Sequence, residues 1–173
     1  MGQYYKIVNL DREEFLDTYT FNDGAKLLEF GCCSEGTLTA LAILLADGNG
    51  RGGGDLHSEN PIIGSWAGDR IVVIGDYADE QKFLTVDQIA KHKMLKDGED
   101  PNLYDHAVEH FKDVSEAALI AMLDDQFIYQ VYEKADLYGK TKDIFEKVKK
   151  RRDRDRDQGR DQDQEKPLLA KAG

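Results

Sequence analysis

The sequence predicts an α+β fold: a small, mainly antiparallel sheet from the N-terminal half, packed with helices. Three observations carry this. Residues 3–10 and 71–74 are rich in Tyr, Ile and Val and are flanked by turn residues. Leu38 to Ala46 is apolar nearly all round, as expected of a helix buried on most sides. After residue 80 the apolar residues recur at helical spacing behind capping residues.

Taken in order, residues 3–10 read as a strand inside the sheet, with Tyr5, Ile7 and Asn9 on one face and Tyr4, Lys6 and Val8 on the other. Residues 11–16 read as a charged turn or one helical turn. Asn22-Asp23-Gly24 is a turn signal, and residues 25–30 fit either helix or strand. Ser34 is placed to cap the apolar helix 35–46, which stops at Asp47-Gly48. Residues 61–66 and 71–74 read as two strands joined by a tight turn at 67–69. The continuous run Ile71–Ile74 predicts a central strand covered on both faces. Thr85 caps a helix to about Lys96, Asn102 one through Lys112, and Ser115 another with Ala118, Leu119, Met122 and Leu123 inward. Phe127–Tyr132 is aromatic and β-branched, which admits a strand. A last amphipathic helix from Thr141 turns Ile144, Phe145 and Val148 to one side.

From Lys149 to Lys166 there is no apolar residue, so the reading divides the chain into one globular domain, 1–148, and a charged tail, 149–173, disordered or a solvated helical extension. Lys and Arg number 23 against 34 Asp and Glu, a net charge of −11, which argues against a nucleic-acid binder that tracks phosphates. No run reaches membrane-spanning length and no apolar leader is visible, so a soluble cytoplasmic protein with no membrane partner is expected. The two cysteines, Cys32 and Cys33, are adjacent. That excludes a disulfide framework, fits a reducing compartment, and suggests a buried pair of small apolar residues.

Three constellations are candidates for function. Residues 47–55 include five glycines, and Asp47, Asn49, Asp55 and Glu59 supply oxygens of the kind calcium takes. Arg51 and Ser58 break the helix-loop-helix calcium pattern. The loop follows a helix rather than preceding one, which excludes a phosphate-binding P-loop. The remaining readings are contact with an anion, aided by Arg51 and Arg70, or a surface loop without a ligand. His106-Ala-Val-Glu109-His110 matches the H-x-x-E-H string of inverted zinc peptidases, with both histidines one helical turn apart; the alternative is a packed, hydrogen-bonded histidine. Trp66, with Asp69, Arg70, Asp76 and Tyr77, reads either as a ligand surface or as a tryptophan plugging the core.

The opening MGQYYKIVNLD, with LLADGNGRGGGD and GSWAGDRIVV, resembles a family of small uncharacterised proteins of bacteria, archaea and their phages, over roughly residues 1–80. The resemblance implies no activity, catalytic residue or cofactor. It implies that the glycine loop and the Trp66 segment belong together and that the role is a prokaryotic or viral accessory one. The expectation is a non-enzymatic module binding a small anionic ligand or a protein partner through Asp47, Asn49, Arg51, Asp55, Trp66, Asp69, Arg70 and Asp76, without a cofactor. The rivals are a metal-dependent hydrolase using His106, Glu109 and His110, and an assembly protein acting through its tail.

Overall fold

The computed structural model describes residues 2–52, 54–56 and 58–164, with side chains described up to residue 157. Four strands form one mixed sheet in the order β3-β1-β2-β4: β1 Tyr5–Asn9, β2 Glu14–Leu16, β3 Ile71–Gly75 and β4 Lys112–Asp113. The three longer strands are antiparallel neighbours, and the two-residue β4 joins β2 in parallel. Seven helices surround the sheet among the described residues: α1 Leu27–Gly31, α2 Thr37–Leu45, α3 Val86–Leu95, α4 Leu103–His110, α5 Ser115–Asp124, α6 Gln126–Lys134 and α7 Gly139–Gln164. The fold is α+β, as the sequence predicts.

Strand alternation splits the interior in two. Ile7 and Leu16, paired across β1 and β2, face the larger core with Phe21, Phe30, Leu44, Trp66, Leu119 and Ile144. Val8, Phe15 and Ile74 face the other way, onto Leu103, Ala107 and Phe111 around α4. Lys6 on that second face is buried; its Nζ reaches Asp17 at 3.2 Å and lies over the rings of Phe15 and Tyr104.

Several expectations are corrected. Residues 61–66 form successive turns, not a strand, and the expected turn at 67–69 continues them, because the backbone serves α2: Gly64 N–H donates to Ile43 and Trp66 N–H to Leu44, at 2.9 and 2.8 Å. These bonds satisfy carbonyls that the end of a helix leaves without partners. Gly64 is required there, since its φ is +72° and a Cβ would stand 2.6 Å from the Ala46 carbonyl oxygen. The strand Ile71–Gly75 is an edge strand rather than a central one, with Val73 exposed. The segment 11–16 ends in β2, and 127–132 lies in α6, capped by Asp125, whose carboxylate accepts from the N–H groups of Phe127 and Ile128. Here tertiary packing overrides β propensity. The N-cap position of α2 is Gly36, not Ser34. The Asp23 carboxylate does the capping from a distance, accepting from Thr37 N–H and Oγ1–H at 2.7 Å each. Val114, not Ser115, stands at the N-cap of α5; the Ser115 hydroxyl accepts from Asp17 N–H instead.

Past residue 148, α7 runs on as a charged helix to Gln164; the rest of the tail expected as disordered, 165–173, lies outside the described residues. Among the described residues no helix is long and apolar enough to cross a membrane.

The cysteines are exposed rather than buried. A hydrogen bond with the Asp23 carboxylate, then burial, pushes the Cys33 thiol up to about 11. Because the thiolate is the reacting form, Cys33 is expected to alkylate roughly 100-fold more slowly at neutral pH than a thiol at its ordinary value. Peptide mass spectrometry of iodoacetamide-treated protein measures this. Asp23→Asn accelerating Cys33 confirms the cause; equal fast labelling in the wild type refutes it.

Candidate metal centre

Helix α3 begins with a capping box. The Thr85 hydroxyl accepts from Gln88 N–H at 3.3 Å, and the Gln88 side chain accepts from Thr85 N–H at 2.9 Å. Helix α4 begins at Asn102, whose side-chain oxygen accepts from Asp105 N–H at 2.9 Å. Its inner face follows the helical period: Leu103, His106, Ala107 and His110 point inward, and Leu103 and Ala107 hold the helix against the sheet. Glu109 flanks that face.

The two helices bring three imidazoles together. One nitrogen from each of His92, His106 and His110 lies within 4.8 Å of the others. The ring centroids are 5.8 Å apart for His92–His106, 5.7 Å for His92–His110 and 4.6 Å for His106–His110. His92 and His106 are buried, and the side chain of His110 is 11% exposed. Three nitrogens here, His92 Nδ1, His106 Nδ1 and His110 Nε2, are buried without a hydrogen-bond partner in the protein. A buried polar group left so costs about 1–3 kcal/mol. A single cation reached by all three rings would give each a partner.

A fourth donor stands beside them. Glu109 Oε2 lies 3.8 Å from His92 Nδ1 and 3.9 Å from His110 Nε2, while Glu109 Oε1 accepts from Lys96 Nζ at 2.7 Å. That hydrogen bond holds the Glu109 carboxyl below its ordinary range. Burial, then the neighbouring His110 and His92, pushes His106 down to about 4, and burial, then Lys91, lowers His110. At neutral pH His106 and His110 are therefore neutral imidazoles beside an anionic carboxylate, the forms that ligate a cation. Nitrogen ligands on a tetrahedral zinc stand about 3.3 Å apart, given bonds of about 2.0–2.1 Å. The ligand atoms here lie within 4.8 Å of one another, so the side chains must draw inward to close on such an ion.

The predicted metal residues His106, Glu109 and His110 thus share one site. His92 is the member that sequence reasoning missed, because nothing at the sequence level ties α3 to α4. One signal was present: of four histidines in the chain, two already form the H-x-x-E-H pair, and His92 follows Ile89 at helical spacing.

The predicted ligand residues fall in different places. Trp66 is fully buried, its indole N–H donating to Glu14 Oε2 at 2.7 Å, so it is a core residue and not a ligand surface. Arg70 is engaged by Asp11 through Nε and Nη2 at 2.8 and 2.6 Å. Asp69 accepts from Asn9 and Arg12, and Asp76 from Tyr4 N–H. In the glycine loop, Asn49 exchanges two hydrogen bonds with the backbone of Leu56, and Asp55 accepts from Arg51 and Gly52 N–H. Gly53 in that loop lies outside the described residues. Asn49, Gly54 and Asp55 line a groove of about 770 Å³ with α2 and α6, whose walls include Leu38, Ile43 and Phe127. Trp66, Asp69, Arg70 and Asp76 are not among its lining residues, and its charged groups, Glu35, Asp55 and Asp125, are all acidic. Such a surface repels an anion.

Compared with models of protein families, with curated proteins and with solved structures, the chain shows no match.

Proposed function

We propose that this protein binds one divalent transition-metal ion, zinc foremost, through His92, His106 and His110, with Glu109 as the fourth ligand. The observation that carries the reading is the meeting of three imidazoles from two helices, each with a buried nitrogen that has no hydrogen-bond partner. Three imidazoles with one carboxylate suit zinc, and suit less well the hard cations that take oxygen ligands throughout. The role supported is a structural or regulatory one rather than hydrolysis. Glu109 Oε1 is held by Lys96, which weakens it as a base, and Oε2 faces two imidazoles, as a ligand does.

The test is elemental analysis of protein purified intact and of protein reloaded with zinc. One equivalent per chain is expected in the wild type, and substantially less in His106→Ala and His110→Ala. A wild-type protein that retains no zinc after reloading overturns the reading, as does full retention in both variants.

A further inference from the structure

The metal reading has a mechanical consequence, because the ligands come from two elements anchored very differently. Helix α4 is held by Leu103 and Ala107, both fully buried against the sheet, and by Phe111 just beyond its end. Helix α3 has ten residues, and His92 is its only buried one. Val86, Met94 and Leu95 are 81%, 85% and 63% exposed. A helix this short is marginal in water and depends on the apolar face it buries. Here that face is reduced to the half-buried Ile89 beside His92.

The other ties between α3 and the body are polar and lie at the surface. Gln88 Nε2 donates to Glu13 Oε1 at 2.8 Å, and Lys96 Nζ, at the end of the helix, reaches Glu109. Contacts of this kind contribute little, and salt screens the ionic ones. The backbone at both ends of the segment is in the left-handed region. Gln81 and Phe83 have φ of +59° and +67°, and beyond the helix Asp97 and Gly98 have φ of +50° and +88°. Such conformations are unfavourable for a residue like phenylalanine and persist only where the surroundings enforce them. They bracket the segment with positions able to absorb a hinge motion.

We propose that the metal is the latch that docks α3: with it bound, His92 is clamped to His106 and His110 and α3 packs on α4; without it, residues 86–96 separate from a body that stays folded, to which Leu84 remains packed. Metal affinity and docking are then reciprocally coupled, because each favours the same state. The protein would display Phe83, Val86 and Met94 as one ordered surface only when metal is bound, and would uncover His106 and Phe111 when it is not. The inference rests on the metal reading above.

Hydrogen exchange on the full-length protein, with one equivalent of zinc or with a chelator, tests it. Zinc is expected to slow exchange of the amides in 86–96 by at least ~10-fold, the change in opening equilibrium for about 1.4 kcal/mol. Amides of β1 and α5 should be unchanged. His92→Ala is expected to leave 86–96 fast in both conditions while β1 keeps its protection, which shows that the variant is folded. Native mass spectrometry of the same samples reports zinc. Zinc bound with 86–96 equally protected in both states overturns the latch and leaves the metal site standing. Failure to bind zinc at all overturns both.

Discussion

Zinc is expected to raise the melting temperature of this protein by roughly 8–16 °C when free zinc stands a thousand-fold above its dissociation constant. A ligand that binds only the native state stabilises it by about 4 kcal/mol at that ratio, and a chain of this length shifts by about 2–4 °C per kcal/mol. The unfolded chain does not present the three-histidine site. His92 and His106 lie on different helices, and closing the loop between them without the fold has an entropic cost. Part of the gain has a local origin, since three buried nitrogens without partners would each acquire one. Thermal melts with zinc, with chelator and with zinc restored measure the effect. The adjacent exposed cysteines carry thiols, which also ligate zinc, so their contribution must be separated from that of the histidines. The shift should survive Cys32→Ser with Cys33→Ser and disappear in His106→Ala with His110→Ala. The opposite pattern would assign the stabilisation to the thiols and dismiss the histidine site.

What could be read from the chain beforehand follows from how local each feature is. Strand β1, the capped starts of α3 and α4 and the inward residues of α5 rest on contacts within a few residues, and their signals were legible. The N-terminus of α2 was not, because Asp23 supplies the cap from fourteen residues away. Residues 61–66 read as a strand because Ile62, Ile63 and Trp66 are apolar. Their backbone instead follows the carbonyls at the end of α2, which no local pattern announces. The same holds for the site. His106, Glu109 and His110 share one turn of helix and could be named together, whereas His92 arrives through the packing of a second helix. Arg70 and Asp69 suggested a ligand only while Asp11, Arg12 and Asn9 were not known to face them.

Trp66→Ala is expected to destabilise the fold by about 3–5 kcal/mol, the range for removing a buried large aromatic side chain. The indole is fully buried in the larger core, and its N–H donates to Glu14 on β2, which the change would leave facing a cavity. The loss is a large fraction of the 5–15 kcal/mol typical of a native domain. It would also loosen the segment whose N–H groups close the end of α2. Trp66→Phe keeps most of the packing but removes the donor to the partly exposed Glu14 carboxylate, so its cost should fall to about 1.5–3 kcal/mol, the worth of a hydrogen bond to a charged group. Urea denaturation followed by circular dichroism measures both, with the midpoint falling in the order wild type, Phe, Ala. Arg70→Ala should change the midpoint little, since its pair with Asp11 is exposed to solvent. A ligand surface would behave in the reverse way, with Trp66→Ala leaving the midpoint in place. That outcome would return Trp66 to the surface role its neighbours in the sequence suggested. The burial and the 2.7 Å bond to Glu14 argue for the core.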